Sequence, residues 1–473
     1  MPAPIIVWFR QELRLDDHAA LCAAVKSGSP IVPVFIDDPD APRRIGEASI
    51  WWRNQSLRAL DEALRKKGSR LIFRSGAAQG VLENLIAETG ARGVYWLRNY
   101  DPLSVARDTE LKAELSQSGL DVQSFSGNLL FEPWDITNKT GLPFKVFTPF
   151  WKACLAHGLR HQPAPEPDVI PAPDKWPSGA LPEPQQSHLS AHWKPGERGA
   201  WERFELFLDA LIQGYAAHRD EPARETSRLA PHLRWGEISP ARIWHAVTDR
   251  CQAGEIPQKD ADKFLSEMGW REFSYQLLFQ NPDLGTVNLQ SKFDDFPWRE
   301  DPEGFAAWAE ARTGYPIIDA GMRELRQTGF IHNRVRMIVA SFLIKHLMID
   351  WRQGEALFWD LLVDADPANN TASWQWVAGS GADAAPYFRI FNPITQGLKF
   401  DGGGVYTRRF VPEVAGLPDK LLFTPWEAAA EQREQAGIKL GDTYPTPMVD
   451  HAAARARALA AFDSLKNNPQ SDA

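Results

Sequence analysis

Residues 351–393 read WRQGEALFWDLLVDADPANNTASWQWVAGSGADAAPYFRIFNP. Four unlike pieces follow one another. A helix-like run carries Trp351, Phe358 and Trp359. An acidic, amide-rich loop holds Asp364, Asp366, Asn369 and Asn370. The pair Trp374 and Trp376 comes next, and a Gly/Ala-rich turn then leads to Tyr387, Phe388, Arg389 and Phe391. Aromatic side chains bury large areas, and a buried indole N–H needs an acceptor. An Asp–Asn loop offers donors and acceptors that converge on one small object. The same residues also read as a Trp-rich helical core with a solvated loop. A calcium loop is excluded, because its spacing needs Gly at the sixth position and Glu at the twelfth, which here are Asn369 and Gln375.

DADPANNTASWQW followed by GADAAPYFRIFNP resembles the flavin-binding core of the DNA photolyase/cryptochrome family. The motif is long and specific. It implies an α/β N-terminal domain, a parallel sheet with crossover helices, followed by an all-α C-terminal flavin-binding domain.

The rest of the chain agrees with two or three domains. A length of 473 residues allows each its own core. Cys22, Cys154 and Cys251 lie far apart with no CxxC, which argues against a disulfide framework or a Cys-based zinc site; no metal is expected. That usage fits a reducing cytoplasm. MPAPIIVWFRQ lacks the basic start of a signal peptide, and no apolar stretch approaches a membrane span. A net charge of −9 disfavours a generally basic nucleic-acid binder, so any DNA contact must rest on a local basic patch.

Over residues 1–130 short apolar runs alternate with helical patterns. IIVWF, IVPVFI, LIF, VYWL and VQSF read as strands; segments near 17–26, 51–67, 78–89 and 103–117 read as helices. Such a sheet binds ligands at the carboxyl ends of its strands. No GxGxxG or P-loop names the ligand. WFRQELRLDDHAAL, through Arg10, Arg14, Asp16 and Asp17, matches the family's opening motif, and WWRNQSLRAL is similar to the branch close to plant cryptochromes. The resemblance implies a light-harvesting antenna, methenyltetrahydrofolate or a deazaflavin. The Cys-Lys pair that some relatives use for folate is missing, so a folate pocket near Trp51 is the alternative. Simple packing of Trp51 and Trp52 explains them as well. Residues 131–197 form a connector whose second half, QPAPEPDVIPAPDKWPSGALPEP, is too Pro-rich for a core.

Residues 198–473 read as helical. AWERFELFLDALIQGYAAHRD is amphipathic and ends near Tyr215, and Thr226 and Ser227 then look like N-cap residues, a ready anion site beside Arg228. An ordinary capped helix explains them too. Phe264, Glu267, Trp270 and Arg271 share one helical face; a surface Glu267–Arg271 pair is the simplest reading. In GFIHNRVRMIVASFLIKHL, Ile331, Val335, Ile338 and Phe342 form an apolar stripe, with Asn333, Arg336, Met337 and Ala340 opposite. Basic residues gather at Arg323, Arg326, Arg334, Lys345, Arg389, Lys399, Arg408 and Arg409, positions able to hold phosphates.

The resemblance assigns roles that spacing does not. Tyr215, Thr226, Ser227, Arg228, Leu229 and Ala230 match the stretch around the FAD phosphates. Phe264, Arg271, Asn333, Arg336, Asp364, Asp366 and Asn370 match flavin contacts, with Arg336 paired to Asp364 and Asn370 facing N5. Glu267 matches the carboxyl that contacts a flipped pyrimidine dimer, with Trp270 stacked beside it; Met337 and Trp376 line the same pocket. Arg219, Arg334, Arg389, Gln396 and Lys399 match DNA contacts. Trp298, Trp351 and Trp374 match the three tryptophans that pass electrons to excited flavin. Plant cryptochromes place Asp where this chain has Asn370, and (6-4) photolyases place His where it has Asn333. Both differences favour a photolyase of cyclobutane dimers, a monomer acting on UV-damaged DNA, double- or single-stranded, with reduced, anionic FAD. A (6-4) photolyase, a blue-light receptor without repair, and a light-independent flavoprotein are the alternatives.

Overall fold

Five short apolar segments make one parallel sheet in the order β3-β2-β1-β4-β5: β1 Ile5–Phe9, β2 Ile31–Asp37, β3 Ile72–Ser75, β4 Gly93–Leu97 and β5 Asp121–Phe125. All residues of β1 and β4 are buried, as a sheet covered on both faces requires. The crossover helices are α1 Ala19–Lys26, α2 Glu47–Lys66, α3 Ala78–Thr89 and α4 Pro102–Gln117. Leu82 and Leu85 of α3 and Leu111 and Leu115 of α4 pack on Ile6, Trp8, Val34, Val94 and Trp96 of the sheet. The computed structural model describes residues 2–39, 41, 43–384 and 389–466. Tyr387 and Phe388 of the opening motif lie outside the described residues. No helix among the described residues is long and apolar enough to cross a membrane.

The Pro-rich connector is not a free linker. Ile170 is 1% exposed, and its N–H donates to Lys67 O. Trp176 lies under the Arg70 guanidinium at 4.9 Å. A Cβ on Gly179, at φ +148°, would stand 2.7 Å from both Ile72 Cγ2 and Phe73 O. The connector therefore covers the edge strand β3, whose open hydrogen-bonding edge would otherwise invite pairing with another chain.

The chain divides into two compact units: Met1–Tyr215 with Ser227–Pro282, and Ala216–Thr226 with Asp283–Ala473. The first unit runs past residue 198, because polar contacts tie the helices that follow it to the α/β layer. Glu197 accepts from the N–H groups of Leu15 and Asp16 at 2.8 and 3.0 Å, Arg242 forks onto Asp16, and Trp52 donates to the buried Glu237 at 2.9 Å. The amphipathic helix expected to run to Tyr215 is interrupted. It spans Glu197–Leu206, widens into a π-type turn over Phe207–Leu211 and stops before Gly214, whose φ is +79°.

In the second unit the helix Asn333–Ser341 carries the expected stripe: Ile331, Val335, Ile338 and Phe342 are at most 1% exposed. Ala340, placed on the opposite face by spacing, is buried too, because the helix is enclosed on more than one side.

Candidate active site

The site residues form two clusters, one in each unit. In the first, the helix Gln258–Gln280 presents the Glu267 face. Phe264 is buried against Phe207 and Tyr215, with ring centroids at 4.7 and 5.8 Å. Trp270 stacks on Phe147 at 3.8 Å and an interplanar angle of 10°, and Phe147 lies in turn against Trp151. Gly269 makes this wall possible: a Cβ there would meet Trp151 at 2.4 Å. One turn before Trp270, the half-buried Glu267 pairs with Lys263 at 2.8 Å. The simple Glu267–Arg271 pair suggested by spacing is not what forms. Arg271 donates to Asn128 O at 2.8 Å and to Glu272, so it fastens the loop after β5. Glu272 accepts the N–H groups of Leu130 and Phe131, and burial pushes its pKa up to about 7.

The expected anion site at Thr226-Ser227 is built differently. Neither residue caps a helix: the short helix Ala230–Arg234 has Leu229 at its N-cap and no side-chain cap. Arg228 sits at φ +49°, turning the chain before the helix, and its guanidinium lies over Trp193 at 4.0 Å. Ser227 contributes its carbonyl to Arg203. Leu229 is buried and Ala230 exposed.

The second cluster is the Asp364–Asn370 loop with the helices beside it. Arg336 donates from Nη2 to Asp364 Oδ2 at 2.8 Å and from Nε to Ile331 O at 2.7 Å. Asp366 Oδ1 accepts from Ala368 N, Asn369 N and Asn369 Nδ2, and so starts the helix Asn369–Ala378. Asn370 is next, and its Nδ2 donates to Glu355 Oε1 at 2.8 Å and Glu355 O at 3.1 Å. With Nδ2 committed to Glu355, the amide oxygen of Asn370 is the atom left to face a ligand. Glu355 is 4% exposed and had no signal in the sequence beyond its position one turn after Trp351. Asn333 is exposed; Met337 and Trp376 are half-buried. His332 accepts Arg334 N at its Nδ1, and burial lowers its pKa to about 4, so the ring is neutral at ordinary pH.

These residues fit a flavin. Asp364 is 8% exposed, and its Oδ1 is buried with no donor among the described residues. A buried acceptor of this kind calls for a partner, which a ring N–H of a ligand supplies.

The three tryptophans all lie in the second unit; Trp374 and Trp351 are buried and Trp298 is half-buried. Trp374 is 3% exposed and meets Phe358 edge-on at 5.0 Å; a Cβ on Gly354 would stand 2.2 Å from its ring, so glycine permits the approach. Trp351 is fully buried and donates to Asn288 Oδ1 at 3.0 Å. Trp298 is half-buried, with Phe296 at 4.4 Å.

Several of the basic residues prove to be internal ties. Arg323 forks onto Glu413, Arg326 donates to Ala309 O, and Arg408 holds Gly403 O, Leu417 O and Asp419. Lys345 is buried, donates to Arg389 O, and has its pKa lowered by burial to about 7. Arg334 pairs with Asp220 at 2.5 Å and lies over Phe400 at 4.5 Å. Arg389 and Lys399 are exposed, and Gln396 is half-buried on the helix Pro393–Phe400.

The doubly covered parallel sheet and the framed Asp364–Asn370 loop define a flavin-binding protein with an α/β layer. Comparison with known proteins identifies the lineage. Residues 5–168 match the family model described as DNA photolyase, and residues 264–464 match the FAD binding domain of DNA photolyase. A deoxyribodipyrimidine photo-lyase of Agrobacterium fabrum is 52% identical over 98% of both chains. Cryptochrome-1 of Arabidopsis thaliana is 36% identical over 97% of this chain and 70% of its own. The crystal structure of a bacterial class III photolyase from Agrobacterium tumefaciens superposes with a TM-score of 0.96 at 51% identity, covering 99% of this chain and 98% of the other. The chain belongs to the DNA photolyase/cryptochrome family.

Proposed function

We infer that this chain repairs cyclobutane pyrimidine dimers in DNA, driven by light absorbed through bound FAD. Arg336, Asp364 and Asn370 would hold FAD, which, bound and reduced, would supply the one-electron chemistry that ring opening needs. The protein supplies position and electrostatics. The Arg336–Asp364 pair leaves one buried carboxylate oxygen to accept from the ring system. Glu355 locks the Asn370 amide so that a carbonyl oxygen, which has no proton to give, is the group presented. That locked amide is the observation that carries the reading, since a residue that cannot protonate the cofactor suits a reducing repair enzyme better than a receptor. Glu267 and the Trp270 wall then take the flipped base, whose unstacking is already cheapened by damage. Trp374, Trp351 and Trp298 form the refilling path for electrons. The enzyme acts as a monomer in a reducing cytoplasm; Cys22, Cys154 and Cys251 are all unpaired.

The test is repair of oligonucleotides carrying a thymine dimer or a (6-4) photoproduct, in light and in darkness. Light-only repair of the first substrate alone is expected. Repair of the second instead would move the chain to the (6-4) class.

We also propose methenyltetrahydrofolate as the antenna, held in a cleft of about 850 Å³ walled by Trp51, Gln55, Arg58 and Trp193. Two observations support it over a deazaflavin at the strand ends. The crevice where strand order reverses, between β1 and β4, is the usual ligand site in such sheets, but here Arg10 donates to Leu97 O and pairs with Asp108, while Arg107 ties Asp38 and Asp108 together. Trp51 Nε1 is also buried with no acceptor among the described residues. Releasing the chromophore from purified protein and from Trp51→Ala tests this. Folate in the first and none in the second is expected; a deazaflavin retained by both contradicts it.

A further inference from the structure

Arg219 and Arg334, the two arginines read as DNA contacts on neighbouring elements of the second unit, share one carboxylate. Asp220 Oδ2 accepts from Arg334 Nη2 at 2.5 Å, and Asp220 Oδ1 stands 3.7 Å from Arg219 Nη1. The arginine side chains are only 14% and 15% exposed, while Asp220 is 32% exposed. The Arg334 guanidinium also lies over the Phe400 ring at 4.5 Å. Phosphate would thus approach a cluster with two positive charges and one negative, fixed in place before any DNA arrives.

We propose that Asp220 is a positioning residue that tempers DNA binding: it orients Arg334 and cancels one unit of charge in the Arg219–Arg334 cluster, so that backbone affinity stays low. This rests on the reading of Arg219 and Arg334 as phosphate contacts. The physical reason is counterion release. Affinity for DNA backbone grows with the number of phosphates neutralised, whether or not the DNA is damaged. A cluster of full charge would strengthen binding to every stretch of DNA, and most DNA is undamaged. Holding the cluster at half its charge leaves discrimination to the Glu267–Trp270 pocket. The chain as a whole follows the same line: a net charge of −9 leaves few sites where backbone attraction is concentrated.

The test measures binding of the full-length, FAD-loaded protein to duplexes with and without a thymine dimer, across a salt series. Asp220→Asn should tighten binding to both duplexes by about three- to tenfold at low salt and steepen the log–log salt slope by about 0.9, the contribution of one further neutralised phosphate. Asp220→Ser, which removes the same charge with a shorter side chain, serves if the first variant does not fold. Asp442→Asn, on an exposed pair with Lys439 at 3.0 Å, controls for the change in net charge and should leave the slope unchanged. In an Arg334→Gln background the gain from Asp220→Asn should largely vanish. Unchanged or weaker binding in Asp220→Asn, with Arg334→Gln itself weakened, overturns the proposal and leaves the DNA reading intact. Wild-type affinity and slope in Arg334→Gln overturns both. A repair yield per bound dimer that stays at the wild-type level in Asp220→Asn separates tempered binding from damage to the chemistry.

Discussion

The Asp364–Asn370 loop and the basic residues of the same unit are both polar, and they are built on opposite terms. In the loop, Asp364, Asp366 and Asn370 are at most 9% exposed, and each is fixed by a named partner. Among the basic residues, Arg389 and Lys399 are exposed, and Arg334 is shared with an acid. A buried polar group must be satisfied in one geometry, so it specifies a ligand closely. A solvated cation is adaptable and weakly coupled to its neighbours. On the proposed reading, the first region suits selection of a cofactor and the second suits graded, salt-sensitive attraction to a DNA backbone.

Breaking the buried frame should have the largest effect. Arg336→Met leaves the Asp364 carboxylate buried and uncompensated, and should cost about 3 kcal/mol of stability together with most of the bound flavin. Denaturant unfolding and the FAD-to-protein ratio measure both. Asn370→Asp is next. It sets two carboxyl groups against each other across the 2.8 Å now spanned by the amide and Glu355. Like charges that close cannot both ionise, so one carboxyl takes up a proton. The variant should then hold a proton beside the flavin, seen as the neutral flavin radical in absorbance after illumination, and its repair should fall by tenfold or more, on the order of 1.4 kcal/mol.

The comparison sharpens at the substrate wall. Glu267→Gln keeps the size of the side chain and removes its charge, so repair yield should fall while DNA affinity stays nearly intact. Lost affinity with unchanged yield per bound dimer would move Glu267 from the chemistry to docking. The smallest effect belongs to the solvated set. Lys399→Ala should weaken binding severalfold at most and reduce the salt slope by about 0.9, with thermal stability unchanged.

Acidity gives a check on the other unit. Burial raises Glu197 and Glu272 to about 7 from an ordinary value near 4.5. Their folded forms prefer the proton, so the stabilisation they offer is complete below pH 4.5 and is lost as pH rises to about 7. Charge-removing Glu272→Gln should flatten that decline in a series of melting temperatures against pH.

Much of the architecture was legible because it follows from local pattern. Apolar runs of strand length alternating with amphipathic segments leave few arrangements besides a parallel sheet with crossovers, and all five strands and α1 to α4 stand within a few residues of expectation. The Arg336–Asp364 pair and the half-buried Met337 and Trp376 were legible only through the motif. The misses share a cause, which is that partners distant in sequence leave no periodic trace. Glu355 locks Asn370 from another helix. Asp220 reaches Arg334 across 114 positions, and Arg10 fills the strand-end crevice through Asp108 and Leu97. The Thr226-Ser227 cap failed for the opposite reason: a good local signal was overruled by Arg228, whose left-handed turn delays the helix.

The most direct test is a single-turnover experiment with FAD-loaded, reduced protein and a bound thymine-dimer duplex, exposed to one light flash or kept dark. The account predicts repair that requires the flash, scales with the amount of reduced FAD bound, and is absent in darkness. Reduced FAD and dimer both bound, light delivered and no dimer opened would contradict it.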